Sequence, residues 1–450
     1  MDNDKCPNII AFIMMIIFNA TACAKLEPIQ SESNAEEKFN GEKLFTSTLP
    51  DLSDPLQFYF LESSNRNGVL VTEAYNSERG YGFSLNTRIN NEHKPFYFSV
   101  KVPESNYRVT IEFGHPQMAS SNTVKAESRR LYLQDVETIP GEFTTRSFVV
   151  NVRNSLLAHH RNDSPTSDRV LLKNSETASL NWDDKLTLEF NGRAPQVRSV
   201  NIEKIDVPTL YLVGDSTVTD QSYEPAASWG QMLPAFFNNT IAIANHAESG
   251  ETMKAFVAEL RLAKVLETIK KGDYLFIQFG HNDQKQQWPQ TYVDAETTYK
   301  AYLKVFVAEA QLRGAIPVLV TSVERRRFNS ASKIENSHGK YPEAVRELAK
   351  KMNVALIDLE AMSVKFYEAL GVEKAPLAFN DNGKDLTHHN NYGAYQLAKC
   401  VIQGIRLAKL PIVSQLNKNV ISYDPANPDS ADNFTLAPSL LNSTLRPSGN

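Results

Sequence analysis

The chain has 450 residues, more than one hydrophobic core usually serves, so two domains are the starting expectation. Its apolar (42%) and charged (22%) fractions are those of an ordinary folded protein and exclude a disordered chain. A net charge of -5 without any Lys/Arg block argues against nucleic acid as the main partner.

In chain order, residues 1–24 read as an export signal. Lys5 precedes the apolar stretch Ile9–Phe18, which is too short to span a bilayer comfortably. Small residues follow at Ala20, Ala22 and Ala24, as a signal-peptidase site requires. Asp2 and Asp4 run against the positive leader pattern, and a buried N-terminal helix or strand is the alternative. Ala20-Thr21-Ala22-Cys23 also has the form of a bacterial lipobox, which would lipidate Cys23 and attach the chain to a membrane; a plain Ala-x-Ala cut competes with it. The expected location is periplasmic, secreted or on the outer surface as a lipoprotein. Cys6 would leave with the signal, and Cys400 sits in the helical pattern Ala394–Leu407, where burial is expected. No Cys-x-x-Cys spacing suggests a metal.

Residues 25–50 are polar and aperiodic, a linker. Residues 51–206 carry short β-rich segments: Phe96–Val102, Tyr107–Phe113, Arg130–Leu133, Thr145–Val152 and Lys185–Phe190. Turn signals such as Pro103-Glu104-Ser105-Asn106 and Asn191-Gly192 separate them, a spacing that predicts a β-sandwich. Tyr75, Tyr81 and Phe83 are either sugar-stacking residues or, as aromatics more often are, core.

From Val207 to about residue 410 the pattern changes. Strands are expected at Thr209–Val213, Ile241–Ala244, Tyr274–Phe279, Pro317–Thr321 and Val354–Leu359. Helical stretches near Thr252–Lys270, Ala295–Leu312 and Tyr341–Met352 lie between them. This alternation predicts an α/β fold, a doubly wound parallel sheet with helices on both faces, preceded by the all-β sandwich. Residues 411–450, rich in Pro, Asn, Asp and Ser, are expected to cross the surface as an extended tail.

Ligands of open α/β sheets bind beyond the carboxyl ends of the strands, and four polar blocks fall there. The first strand runs into Gly214-Asp215-Ser216-Thr217, where a tight turn would project Ser216 at a helix start; a simple N-cap is the plainer account. The second leads to Glu248-Ser249-Gly250-Glu251, whose Gly250 N–H is a candidate donor to an oxyanion or merely a turn residue. The third gives Phe279-Gly280-His281-Asn282-Asp283, where the Asn282 amide offers an uncharged donor, with an Asx-turn as the competing account. The fourth is Asp385-Leu386-Thr387-His388: serine attack needs a base, and the base needs an orienting carboxylate.

These blocks together resemble the SGNH (GDSL-type) hydrolase family. With Trp229-Gly230, Glu248-Ser249-Gly250-Glu251-Thr252, Phe276-Ile277-Gln278-Phe279-Gly280-His281-Asn282-Asp283 and Tyr392-Gly393-Ala394-Tyr395, the wording is similar to bacterial rhamnogalacturonan acetylesterases over about residues 207–410. Glu324-Arg325-Arg326 and His338-Gly339-Lys340-Tyr341-Pro342 also resemble that group, and the first half resembles galactose-binding-like sandwiches. The resemblance implies Ser216 as nucleophile, His388 as general base and Asp385 as its orienting partner. The Ser216 and Gly250 N–H groups with the Asn282 amide would form the oxyanion hole, and no metal or cofactor would be needed. His281 and His389 are candidate substrate contacts; His389 and Leu386 depart from the family pattern. The implied activity is acetyl removal from a pectin-type polysaccharide. Competing activities are another esterase of the superfamily (acetylxylan esterase, lipase or thioesterase) and an inactive, carbohydrate-binding surface protein.

Overall fold

A computed structural model describes residues 54–61, 69–89, 94–158, 168–177, 179–443 and 447; the expected export signal, Cys23 and the linker lie outside them. Among the described residues of the first half there are ten strands: β1 (Leu56–Leu61), β2 (Val69–Leu70), β3 (Tyr81–Ser84), β4 (Phe96–Lys101), β5 (Ser105–Phe113), β6 (Ser120–Ala126), β7 (Arg130–Thr138), β8 (Thr144–Val152), β9 (Lys185–Asn191) and β10 (Val197–Ile205). Along β5 the buried residues are Tyr107, Val109, Ile111 and Phe113, every second position, so one face turns to a core. An antiparallel sheet in the order β3-β4-β9-β6-β7 faces a second one that runs β8-β5-β10-β1. Phe58, Phe98, Ile111, Val124, Leu188 and Val200 pack between them. Phe83 belongs to this core, 5.6 Å from Phe98, and Tyr81 lies 5.1 Å from Phe58. Burial in the sandwich takes the Phe83 ring out of reach of a ligand, in line with the core reading, whereas Tyr75 and Tyr81 are half-buried.

The second half adds five parallel strands, β11 (Thr209–Gly214), β12 (Ala242–Asn245), β13 (Tyr274–Gln278), β14 (Ile316–Val320) and β15 (Ala355–Ile357), in the order β15-β14-β13-β11-β12. Their near-continuous apolar runs are buried on both faces. Seven helices cover them: α1 (Trp229–Met232), α2 (Met253–Ala258), α3 (Arg261–Thr268), α4 (Thr298–Leu312), α5 (Tyr341–Met352), α6 (Leu359–Lys374) and α7 (Asn391–Leu407). Leu210 and Leu212 of β11 pack with Trp229, Phe366 and Leu397 on one side. Tyr211 and Val213 pack with Phe256, Phe306 and Leu348 on the other.

Two expectations change. The stretch Thr252–Lys270 is two helices, because Leu260 is left-handed (φ 62) and breaks it between α2 and α3. The strand expected at Val354–Leu359 stops at Ile357, and the Asp358 carboxylate then caps α6 by accepting from the Ala361 N–H.

The parallel sheet and half of the sandwich are one surface. Strand β12 pairs with β8 at Ile243 and Val150, joining all strands from β15 to β2 into a ten-stranded sheet. The tail packs back over both halves: the Tyr392 hydroxyl donates to the Asp429 carbonyl (2.6 Å), and Lys125 Nζ donates to that of Ala437 (2.9 Å). No helix among the described residues is long and apolar enough to cross a membrane.

Candidate active site

Strand β11 ends at Gly214, where a side chain has no room: a Cβ would meet the Gln278 carbonyl oxygen at 2.6 Å and Val218 Cγ2 at 2.7 Å. The chain therefore turns sharply there and presents Ser216. Asp215 points inward and accepts from the Thr217 N–H (3.0 Å) and hydroxyl (2.8 Å), which rigidifies the turn. Behind it, Trp229 Nε1 donates to Gln278 Oε1 (2.9 Å) and Gln278 Nε2 to the Thr217 hydroxyl (2.6 Å). Gln221 Nε2 donates to the Ser216 carbonyl (2.8 Å).

His388 Nε2 lies 2.9 Å from Ser216 Oγ, although the two residues are 172 positions apart. Its Nδ1 lies 2.9 Å from Asp385 Oδ2. The other carboxylate oxygen accepts from the backbone N–H groups of Thr387 (2.8 Å) and His388 (3.0 Å), so one short loop holds acid and base together. Burial by itself would raise Asp385, but the His388 hydrogen bond and charge, with those two N–H groups, hold it well below the usual carboxylate range. An ionised Asp385 fixes His388 with Nδ1 protonated, leaving Nε2 free to accept the serine proton.

Gly250 has φ 79, a left-handed turn that favours glycine. Among the described residues neither its N–H nor that of Ser216 donates to a protein acceptor. The Asn282 amide is fixed from two sides: Nδ2 donates to the Glu251 carbonyl (3.0 Å) and Oδ1 accepts from Lys285 Nζ (3.0 Å). One Nδ2 hydrogen remains. Asp283 ties the second and third blocks together by accepting from the N–H of Met253 (2.9 Å) and of Gly280 (2.9 Å). The arrangement has a hydroxyl, a base with its carboxylate, and unspent donors, the parts needed for acyl transfer.

Both candidate substrate contacts are buried and held by side chains of other elements. His389 is buried, its Nε2 2.7 Å from the Tyr367 hydroxyl and its ring 4.5 Å from Phe379. His281 is also buried, its Nδ1 3.0 Å from His338 Nε2. His338 in turn places Nδ1 3.1 Å from Glu324, and burial is offset there by His338 and Ser337, which hold Glu324 below its ordinary range. This Glu324-His338-His281 string braces the loop that carries Asn282. The family-like Glu324 and His338 blocks signalled it in the sequence without showing their partnership. Arg325 belongs to the first of those blocks, whereas Lys285 had no such signal. Among the described residues no cluster of His, Cys, Asp and Glu has a metal-binding arrangement.

Residues 212–395 match the GDSL-like lipase/acylhydrolase family. The rhamnogalacturonan acetylesterase RhgT of Bacillus subtilis (strain 168) is 40% identical over 220 residues, 46% of this chain and 93% of that relative. The probable rhamnogalacturonan acetylesterase YesY of the same organism is 37% identical over 214 residues, 46% of this chain and 97% of the relative. The uncharacterized esterase YxiM, also from that organism, is 25% identical over 370 residues, 75% of this chain and 86% of the relative. That last span is too long to lie within the second half alone.

Proposed function

This chain belongs to the GDSL-like lipase/acylhydrolase family and is an ester hydrolase, and we propose that it removes acetyl groups from a pectin-type polysaccharide such as rhamnogalacturonan. The observation that carries the mechanism is the unbroken string Asp385–His388–Ser216, 2.9 Å at each step. The substrate reading rests on the two relatives named for that activity, at 40% and 37% identity.

In this reading Ser216 Oγ attacks the acetyl carbonyl carbon while its proton passes to His388 Nε2. The carbonyl oxygen becomes an oxyanion held by the Ser216 and Gly250 N–H groups and the remaining Asn282 N–H. Its collapse breaks the bond to the sugar oxygen, which takes the proton from His388 and leaves. Water then attacks the acetyl-enzyme with His388 again as base, releasing acetate and restoring the Ser216 hydroxyl. Asp385 keeps the imidazole oriented throughout and stabilises its charged form. The same reading treats the β-rich half before Val207 as a sandwich without catalytic residues, and it includes export of the chain, with Cys23 as a lipid anchor, on the strength of the leader pattern.

The test is acetate release from acetylated rhamnogalacturonan by the wild type and by Ser216→Ala. The variant, shown to be folded by circular dichroism, should lose activity on the order of 10⁴–10⁶-fold. Near-native turnover in the folded variant would sink the serine mechanism. Release from acetylated xylan in preference to the pectic substrate would overturn the substrate assignment alone.

A further inference from the structure

Adjoining the catalytic groups is a cavity of about 320 Å³ lined by Lys285, Arg325, Arg327, Lys384 and the Asp385–Thr387 segment. It shares Asp385 with the site, and Lys285 touches Asn282 (3.0 Å). The chain as a whole carries a net charge of -5, yet four cations converge here.

Several other cations of the molecule meet carboxylates: Lys125 with Glu224 (3.2 Å), Arg130 with Asp220 (3.1 Å), Lys264 with Glu104 (2.6 Å). Among the described residues none of these four cations forms an ion pair. Arg325 is held by neutral acceptors, the His281 carbonyl (3.2 Å) and the Ser337 hydroxyl (3.3 Å). Lys285 lies 4.4 Å from the centre of the Trp288 ring. The carboxylates nearby are engaged: Asp385 with His388 and two N–H groups, Asp215 with Thr217, Glu324 with His338. Burial first, and then the charge of Arg325, push the Lys285 ammonium down to about 8, and burial with Arg327 lowers Arg325. Like charges gathered in one concavity repel, and an anion entering it relieves that repulsion.

We propose that this cavity binds a carboxylate of the sugar chain that carries the ester, a uronate, and so selects anionic over neutral polysaccharides. The proposal rests on the reading of the adjoining site as a carbohydrate acetylesterase. Guanidinium forks match carboxylate geometry, and the Lys285 and Lys384 ammonium groups add point charges without a directional demand. Thr387 and the exposed Leu386 supply the uncharged wall a sugar ring needs. The departure of Leu386 from the family pattern falls on that wall.

The test uses the full chain hydrolysing a small neutral ester, 4-nitrophenyl acetate, at low salt. Oligogalacturonate and a xylo-oligosaccharide of equal length are compared as inhibitors. Oligogalacturonate should inhibit the more strongly, and its inhibition constant should rise about tenfold in the Arg327→Ser/Lys384→Ser double variant, a loss of ~1.4 kcal/mol. The constant for the xylo-oligosaccharide should not move. Arg327→Glu, at an exposed position, should weaken the anionic inhibitor further. Equal inhibition by the two sugars, or an unchanged constant in the variants, would overturn the proposal. Acetate release from acetylated pectin, followed in parallel, reports on the substrate assignment separately, because the inhibition ratio reads the cavity whatever the natural ester is.

Discussion

Asn282 has its amide clamped between the Glu251 carbonyl and Lys285, so its remaining N–H points in one direction instead of sampling several. A donor fixed in advance costs no reorganisation when charge develops on the acyl oxygen. Asn282→Ala should therefore lower kcat by roughly 10²–10³ with little change in KM; a change confined to KM would make it a substrate-binding residue. The adjacent histidines should separate cleanly. His388→Ala should abolish most turnover, because His388 Nε2 is the base held 2.9 Å from Ser216 Oγ. His389→Phe should keep turnover within about tenfold but unfold earlier, since it strands the buried Tyr367 hydroxyl at a cost of roughly 1–3 kcal/mol. Burial, followed by the charge of His388, pushes His389 down to about 3. The unfolded chain then binds the extra proton between about pH 6.5 and 3, so this residue makes stability fall as the pH drops through that window. Chemical denaturation from pH 7 to pH 4 should show a shallower loss in His389→Phe than in the wild type. The adjacency of two histidines was legible in the sequence, and so was the better claim of His388. That His389 is buried was not, because its partners Tyr367 and Phe379 sit on other elements.

The elements around the site are positioned by local chemistry that the sequence displays. Asn390 caps α7 by accepting from the Gly393 N–H (3.1 Å), and Thr252 caps α2 by accepting from that of Ala255 (3.1 Å). Pro342 opens α5, and Asn353 closes it in a left-handed conformation. The turn that presents Ser216 is crowded as well. Gly214→Ala places a methyl group against backbone oxygen of the neighbouring strand β13, which has no room to retreat. It should cost about 1–3 kcal/mol or more and displace Ser216, lowering kcat in whatever protein remains folded; unchanged turnover and melting temperature would mean that the turn relaxes freely. Helix α6 escaped the sequence reading because its buried residues Leu359, Met362, Phe366 and Tyr367 merge with the strand signal before them, and Gly371 interrupts its geometry. The break at Leu260 was equally hidden, since a leucine at φ 62 carries no sequence mark.

At the scale of the molecule, the change of periodicity at Val207 marks a change of architecture without marking a gap. Arg130 Nε sits 3.1 Å from Asp220, four residues after Ser216, with both side chains fully buried. Arg129 Nη1 donates to the carbonyls of Gln221 (3.0 Å) and Ala226 (2.9 Å). The hairpin of β6 and β7 thus braces the segment that follows the nucleophile. A chain shortened to begin at Asp206 would leave Asp220 buried without its cation and β12 with an open edge where β8 was. Losing one member of a buried pair costs about 3–5 kcal/mol, a large part of a typical domain's stability. The shortened protein should be insoluble or nearly inactive even on a small acetyl ester. Soluble protein with full turnover would instead mean that the second half folds alone.

What the sequence determined by itself is whatever depends on near neighbours and on period. Asp385 and His388, three residues apart, must be within reach of each other in one loop. Alternating strands and helices must bury both faces of a sheet, and turn glycines must sit where Cβ atoms do not fit. Tertiary structure alone decided what joins distant segments. It brought Ser216 to His388, seated the sandwich on the sheet edge, and closed the Glu324-His338-His281 string. It also gathered Lys285, Arg325, Arg327 and Lys384, each an ordinary polar residue in its own stretch of sequence. The reason is that a charge has no period and no required neighbour. Its role depends on which other charges lie within a few ångströms, and the closing of long loops settles that.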